Sequence, residues 1–156
     1  MDTLTVSFFG HRRLDNVFVI EQTLETIIRK LLNRPEYIEF LVGRDGEFDQ
    51  LASSTVKRCR REIREDNSAL IWVLPYATAE LRDNEEAFLR YYDEIEICER
   101  SAGSHYKAAI QIRNRAMIDR SDFAVFCVGR RQGGAYQTLR YAEKHGVRHI
   151  NLLNIK

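Results

Sequence analysis

Excess charge of either sign is what the sequence most plainly lacks: 24 lysines and arginines stand against 23 aspartates and glutamates, a formal net charge of +1. No overall field draws such a chain to nucleic acid or to an anionic membrane, so neither is expected as a partner, and any grip on phosphate has to be local. Cysteine is scarce as well. Cys59, Cys98 and Cys127 are odd in number, far apart and without metal-ligand spacing, so they read as reduced thiols in a reducing compartment. No apolar run approaches the roughly 20 residues that cross a bilayer. Met1-Asp2-Thr3 enters a strand-like run without a basic leader, apolar core and cleavage site, so a cytoplasmic protein is expected. The Gly-x-Ser-x-Gly turn, the Walker loop and His-Glu-x-x-His are all missing, and the four scattered histidines make no metal site.

What is present is an ordinary globular composition, with 44% apolar and 30% charged residues over 156 positions, which predicts one domain over residues 1–156. Short β-rich apolar runs alternate with segments of helical period. Thr3 to Phe9, Tyr37 to Val42, Ala69 to Leu74, Phe123 to Val128 and His149 to Leu153 read as strands, with Glu94 to Ile97 as a short edge strand. Between them, Val17 to Leu32, Phe48 to Glu65, Ala79 to Tyr92, Lys107 to Ile118 and Gly134 to Lys144 read as helices. The two prolines punctuate this pattern: Pro35 ends the first helix and Pro75 closes the third strand. The alternation predicts an α/β fold, a three-layer Rossmann-like domain with a mainly parallel central sheet of five to six strands. Ligands of such sheets lie outside the carboxyl ends of the strands.

Four loops follow strands there: Gly10 to Arg13, Gly43 to Asp49, the turn after Pro75, and Gly129 to Gly134. Glycine beside arginine combines close backbone approach with a bidentate phosphate donor, so Gly10, His11, Arg12, Gly43, Arg44, Gly46, Gly133 and Gly134 are candidate ligand residues. Gly133-Gly134 leads into a helix whose free amides favour an anion, and Thr138 follows four residues after Gly134. Asp49 either caps its helix or accepts hydrogen bonds from ribose hydroxyls. Arg113 and Asn114 offer a donor pair or, alternatively, a solvated basic helix face. Trp72 reads as core, and Tyr106 is the better candidate to stack on a base.

Several of these residues recur together in a known group. Phe9-Gly10-His11-Arg12, Gly43-x-x-Gly46-x-x-Asp49-x-x-Ala52, Arg113-Asn114-Arg115-x-Met117-x-Asp119-x-Ser121-Asp122 and Gly133-Gly134-x-x-x-Thr138-x-x-Tyr141-Ala142 resemble the short YpsA-like proteins of the SLOG superfamily, over nearly the whole chain. The resemblance implies a Rossmann-like fold and a nucleotide-type pocket. Its members include DprA single-stranded-DNA binders, LOG phosphoribohydrolases and domains thought to sense NAD-derived or other nucleotide ligands. The reading it favours is a binding module or sensor for a nucleotide, ADP-ribose or NAD-related ligand, with room for a homo-oligomer. The alternatives are a hydrolase or transferase acting on the N-glycosidic bond of nucleotides and DprA-like binding of single-stranded nucleic acid. In the LOG enzymes an arginine of Arg-Lys-x-x-Met and a glutamate of Pro-Gly-Gly-x-Gly-Thr-x-x-Glu act. Arg113 and Met117 match the first, but Arg140 stands in place of the glutamate, so Asp49, Glu47 or Asp45 would have to supply the carboxylate.

Overall fold

The computed structural model describes residues 2–156. Its strands are β1 (Thr3–Gly10), β2 (Tyr37–Val42), β3 (Ser68–Leu74), β4 (Glu94–Ile97), β5 (Phe123–Cys127) and β6 (His149–Asn151). The helices are α1 (Val17–Leu32), α2 (Glu47–Glu62), α3 (Ala79–Tyr91), α4 (Glu99–Ala102), α5 (Tyr106–Asp119) and α6 (Gly134–Lys144). All strand pairs are parallel, in the order β4-β3-β2-β1-β5-β6. From β1 the chain adds strands outward to β4, then returns to the opposite flank of β1 for β5. The order therefore reverses between β1 and β5, which is where a crevice opens in such sheets.

Two apolar cores flank the sheet. One joins Ile20, Leu24 and Ile28 of α1 and Phe48, Ala52 and Val56 of α2 to Val6, Phe8 and Phe40 of the strands. The other joins Met117 and Ile118 of α5 and Leu139 and Ala142 of α6 to Phe9, Leu41 and Phe126. Because the sheet is covered on both faces, β3 and β5 are near-continuous apolar runs, and in β1 the polar Thr5 and Ser7 are buried along with Val6 and Phe8. Trp72 lies in the first of these cores, its ring 4.9 Å from Phe88 and 5.2 Å from Tyr92 between centroids. No helix among the described residues is long and apolar enough to cross a membrane.

Several element boundaries depart from the sequence reading; α2, for one, ends at Glu62 instead of Glu65. The loop around Gly103 holds the short α4, and α5 starts at Tyr106, capped by His105, whose Nδ1 accepts from the Lys107 amide at 3.2 Å. Arg113-Asn114-Arg115 lies in the middle of α5. β6 stops at Asn151, whose side chain takes over from the ladder: its Oδ1 accepts from the Val128 amide and its Nδ2 donates to the Val128 carbonyl, both at 2.9 Å.

Packing also dictates one glycine. A Cβ on Gly10 would lie 2.4 Å from Cγ of the Phe48 ring, which is fully buried. Gly10→Ala is expected to lower stability by about 1–3 kcal/mol, read from the urea midpoint, because overpacking must displace core atoms.

Candidate functional site

The β1–β5 reversal carries a cleft of about 240 Å³, into which the loops after β1, β2 and β5 and one face of α5 project. The loop after β5 turns sharply at Gly133, whose φ of 91° is in the region that L side chains rarely adopt. Gly133 thereby starts α6 without any side chain capping it. The first amides of α6, those of Gly134, Ala135 and Tyr136, have no hydrogen-bond partner among the described residues, and Gly134 and Ala135 line the cleft. With the helix dipole behind them they form an anion cradle.

Arginines flank it. Arg12 from the first loop and Arg130 from the last both line the cleft and are exposed. Neither they nor their neighbours Arg13 and Arg131 form an ion pair among the described residues, whereas most other arginines do. His11 is buried between the two loops and ties them together. Its Nε2 accepts from the Gly129 amide at 3.0 Å, and its own amide donates to the Cys127 carbonyl at 3.3 Å. Burial, reinforced by the nearby Arg130 charge, holds the imidazole below its ordinary pKa, so the neutral ring carries its proton on Nδ1.

The first and second loops meet backbone to backbone. A Cβ on Gly46 would lie 2.4 Å from Cα of Arg12, and the Glu47 amide donates to the Arg12 carbonyl at 2.9 Å. Glu47 then turns its carboxylate onto the Leu14 amide at 3.0 Å and does not line the cleft. Asp49 does line it.

Behind the cradle lies a polar relay centred on Arg113, which is only 2% exposed. Its NH1 donates to the Val73 carbonyl at 2.8 Å, its Nε to Asn114 Oδ1 at 3.0 Å and its NH2 to Asp45 Oδ2. Asn114 Nδ2 donates to Thr138 Oγ1 at 3.2 Å, and Thr138 donates to the Gly134 carbonyl at 2.8 Å. Asn114 and Thr138 thus position the first turn of α6, and Thr138 is fully buried and does not face the cleft. Arg113 and Asn114 are interior struts, not a solvated face. They still form part of the cleft wall.

Burial, and then the neighbouring Asp45 carboxylate, push the Asp49 carboxyl up to about 7, against the opposing pull of Arg113 and Arg12. The unfolded chain releases this proton near 4 and the folded chain near 7, so this group's contribution to stability falls as pH rises through that interval. Asp49→Asn is accordingly expected to raise stability at pH 8 by about 2 kcal/mol in chemical denaturation, with the gain vanishing towards pH 4.

Other sequence candidates are placed elsewhere. Arg44 does not reach this cleft: its guanidinium pairs with Glu80 at 3.0 Å and lies 5.0 Å from the Phe88 ring centre. Tyr106 is 61% exposed and stacks on His105 instead of lining the cleft. Arg140, at the position of the LOG glutamate, is exposed beside Glu143 and contributes nothing there. The turn after Pro75 lines an adjoining cavity that shares Asp45 and Arg113 with the cleft. Arg130 and Ala135 belong to the cleft without having been singled out from sequence; the signal for Arg130 was its place in the glycine-bounded loop between strand and helix.

No protein-family model matches the chain, and no curated protein matches it by sequence. Among solved structures it is similar to DNA processing protein A (DprA) from Streptococcus pneumoniae, with a TM-score of 0.70 and 16% identity over 96% of this chain and 50% of that one. It is also similar to DNA processing protein A from Helicobacter pylori, in a structure that addresses its single-stranded DNA binding mode, with a TM-score of 0.66 and 18% identity over 95% of this chain and 64% of that one. The chain thus spans between half and two thirds of the length of these proteins. The likeness establishes a Rossmann-like fold of the DprA kind, as the SLOG resemblance implies.

One expectation is overturned. Near-neutral net charge had spoken against nucleic acid as a partner, yet the fold is shared with a single-stranded DNA binder. Net charge sums over the whole surface, while the arginines without ion pairs include those gathered at the cleft mouth.

Proposed function

We propose that the cleft is a nucleotide-phosphate site and that the chain binds single-stranded nucleic acid through it. A phosphate of the strand would sit on the α6 amides between Arg12 and Arg130, and neutral His11 would offer a further donor. The observation that carries this reading is the uncapped α6 terminus opening into a cleft flanked by arginines that pair with no carboxylate. The DprA likeness supports it, as does the run of motifs that resembles the short YpsA-like branch of the SLOG superfamily. Fold alone would not, because one fold hosts many functions.

A second reading is a free nucleotide, ADP-ribose or NAD-related ligand. The enclosed volume of about 240 Å³ would take the sugar-phosphate unit of such a ligand and leave the rest outside, since sites that enclose a whole small ligand have roughly 300–1,000 Å³.

Fluorescence anisotropy with a labelled single-stranded 20-mer tests the first reading. Saturable binding at low salt is expected, weakening with salt by about 0.7 in log–log slope per phosphate neutralised. Arg12→Ala and Arg130→Ala should each remove about that much slope. A strand that fails to bind at low salt ends the first reading, and calorimetry with adenosine monophosphate, NAD and ADP-ribose then decides the second.

A further inference from the structure

The rim and the floor of the cleft differ in charge. The rim, made of the α6 amides, Arg12 and Arg130, suits a phosphate. The floor holds Asp45 and Asp49, which repel one. At pH 8, above the point at which Asp49 ionises, the part of a ligand that reaches its carboxylate must therefore donate a hydrogen bond, since an ionised carboxylate only accepts them.

Asp49 is nine-tenths buried, and its Oδ2 accepts from the Asp45 amide at 2.9 Å. Its Oδ1 has no partner among the described residues, although the side chain lines the cleft. Asp45, by contrast, is held by Arg113. The three charged groups converge on Gly43: Asp45 Oδ2, Arg113 NH1 and Asp49 Oδ2 all lie 3.0–3.1 Å from where a Cβ on that residue would be. A larger residue at Gly43 would thus press on the floor.

We infer that this floor is a sugar subsite, in which Asp49 accepts a hydrogen bond from a ribose hydroxyl, so that the cleft prefers ribonucleotides to deoxyribonucleotides. The inference rests on the reading of the cleft as a nucleotide-phosphate site. The sugar is bonded directly to the phosphate, so a phosphate on the rim delivers a sugar to the floor, while the cleft's small volume leaves the base outside. The 2′-hydroxyl, donor and acceptor at once, is the group by which a site tells the two sugars apart.

The test compares oligouridylate with oligodeoxyuridylate of equal length by anisotropy, and adenosine monophosphate with its 2′-deoxy form by calorimetry, both at pH 8. Wild type is expected to bind the ribose form about tenfold or more tightly, a hydrogen bond to a charged partner being lost in the other. In Asp49→Ala the ratio should fall to near one, and Asp49→Asn, whose amide still accepts, should keep part of it. Thermal unfolding checks that both variants fold. A ratio near one in wild type, or one that persists in Asp49→Ala, overturns the sugar subsite. So does discrimination that follows the base, with oligocytidylate and oligouridylate separated but ribose and deoxyribose not. Strands that bind equally sink the inference and leave the strand reading intact. A ribose preference among the mononucleotides where no strand of either sugar binds supports the subsite and ends the strand reading, and no binding by any ligand sinks both.

Discussion

Gly134→Asp is expected to weaken single-strand binding about a hundredfold at low salt while the unfolding temperature stays level or rises slightly. Gly134 is the first residue of α6, and a Cβ there meets only Gln111 Oε1, at an ordinary 3.7 Å, so the aspartate fits. A carboxylate at a helix N-terminus favours the helix by about 0.3–1 kcal/mol. The same carboxylate occupies the anion's place, takes up the free amides and repels an incoming phosphate. Losing charge-assisted hydrogen bonds of this kind costs about 1.5–3 kcal/mol, roughly ten- to 150-fold, and the added repulsion sets the loss towards the upper end. Gly134→Ala adds the Cβ without the charge and should bind within about threefold of wild type. If the aspartate variant also does so, the phosphate does not sit on α6.

Arg113→Met should cost about 3 kcal/mol or more in urea denaturation at pH 7. Methionine approximates the length of the aliphatic stem but supplies no donor. The Val73 carbonyl and Asn114 Oδ1 each lose a bond, and Asp45 keeps its charge with no partner in a partly buried setting. Breaking one side of a buried pair leaves the other side uncompensated, which is why the loss exceeds that of a surface ion pair. Arg113→Lys should fall between wild type and Arg113→Met, since an ammonium cannot serve three acceptors in the fork geometry that a guanidinium offers. A loss below about 1 kcal/mol in Arg113→Met would show that the relay to Gly134 does not hold the site together.

Much of the scaffold could be read directly from the chain. Helix α1 runs from Val17 to Leu32 as its apolar spacing predicts, and β2, β4 and α6 fall where expected. These are local signals: a 3.6-residue period or an uninterrupted apolar run reports which faces are covered, whatever covers them. Gly133-Gly134 before a helix likewise announces a tight strand-to-helix turn on its own.

Charged side chains were harder. Arg12 lies two residues after Gly10 and Arg44 directly after Gly43, both in glycine-led loops that follow a strand. Arg12 reaches the cleft, while Arg44 is drawn to Glu80 and the Trp72 and Phe88 rings, which come from other segments. Glu47 and Asp49 are two residues apart on a helix, about 200° around its axis, so one faces the first loop and the other the cleft. Arg113 looks like one of several basic positions on a helix until Val73 of β3 and Asp45 of the second loop meet it.

From the sequence alone came the order of elements, the parallel sheet and the loops that gather at its carboxyl edge, because backbone periodicity and turn chemistry are properties of neighbouring residues. Only the tertiary structure decided which arginines stay unpaired, which carboxylate is buried with a raised pKa and where the cleft lies. Those depend on distances between residues remote in the chain, and charge interactions follow distance and burial, not sequence position.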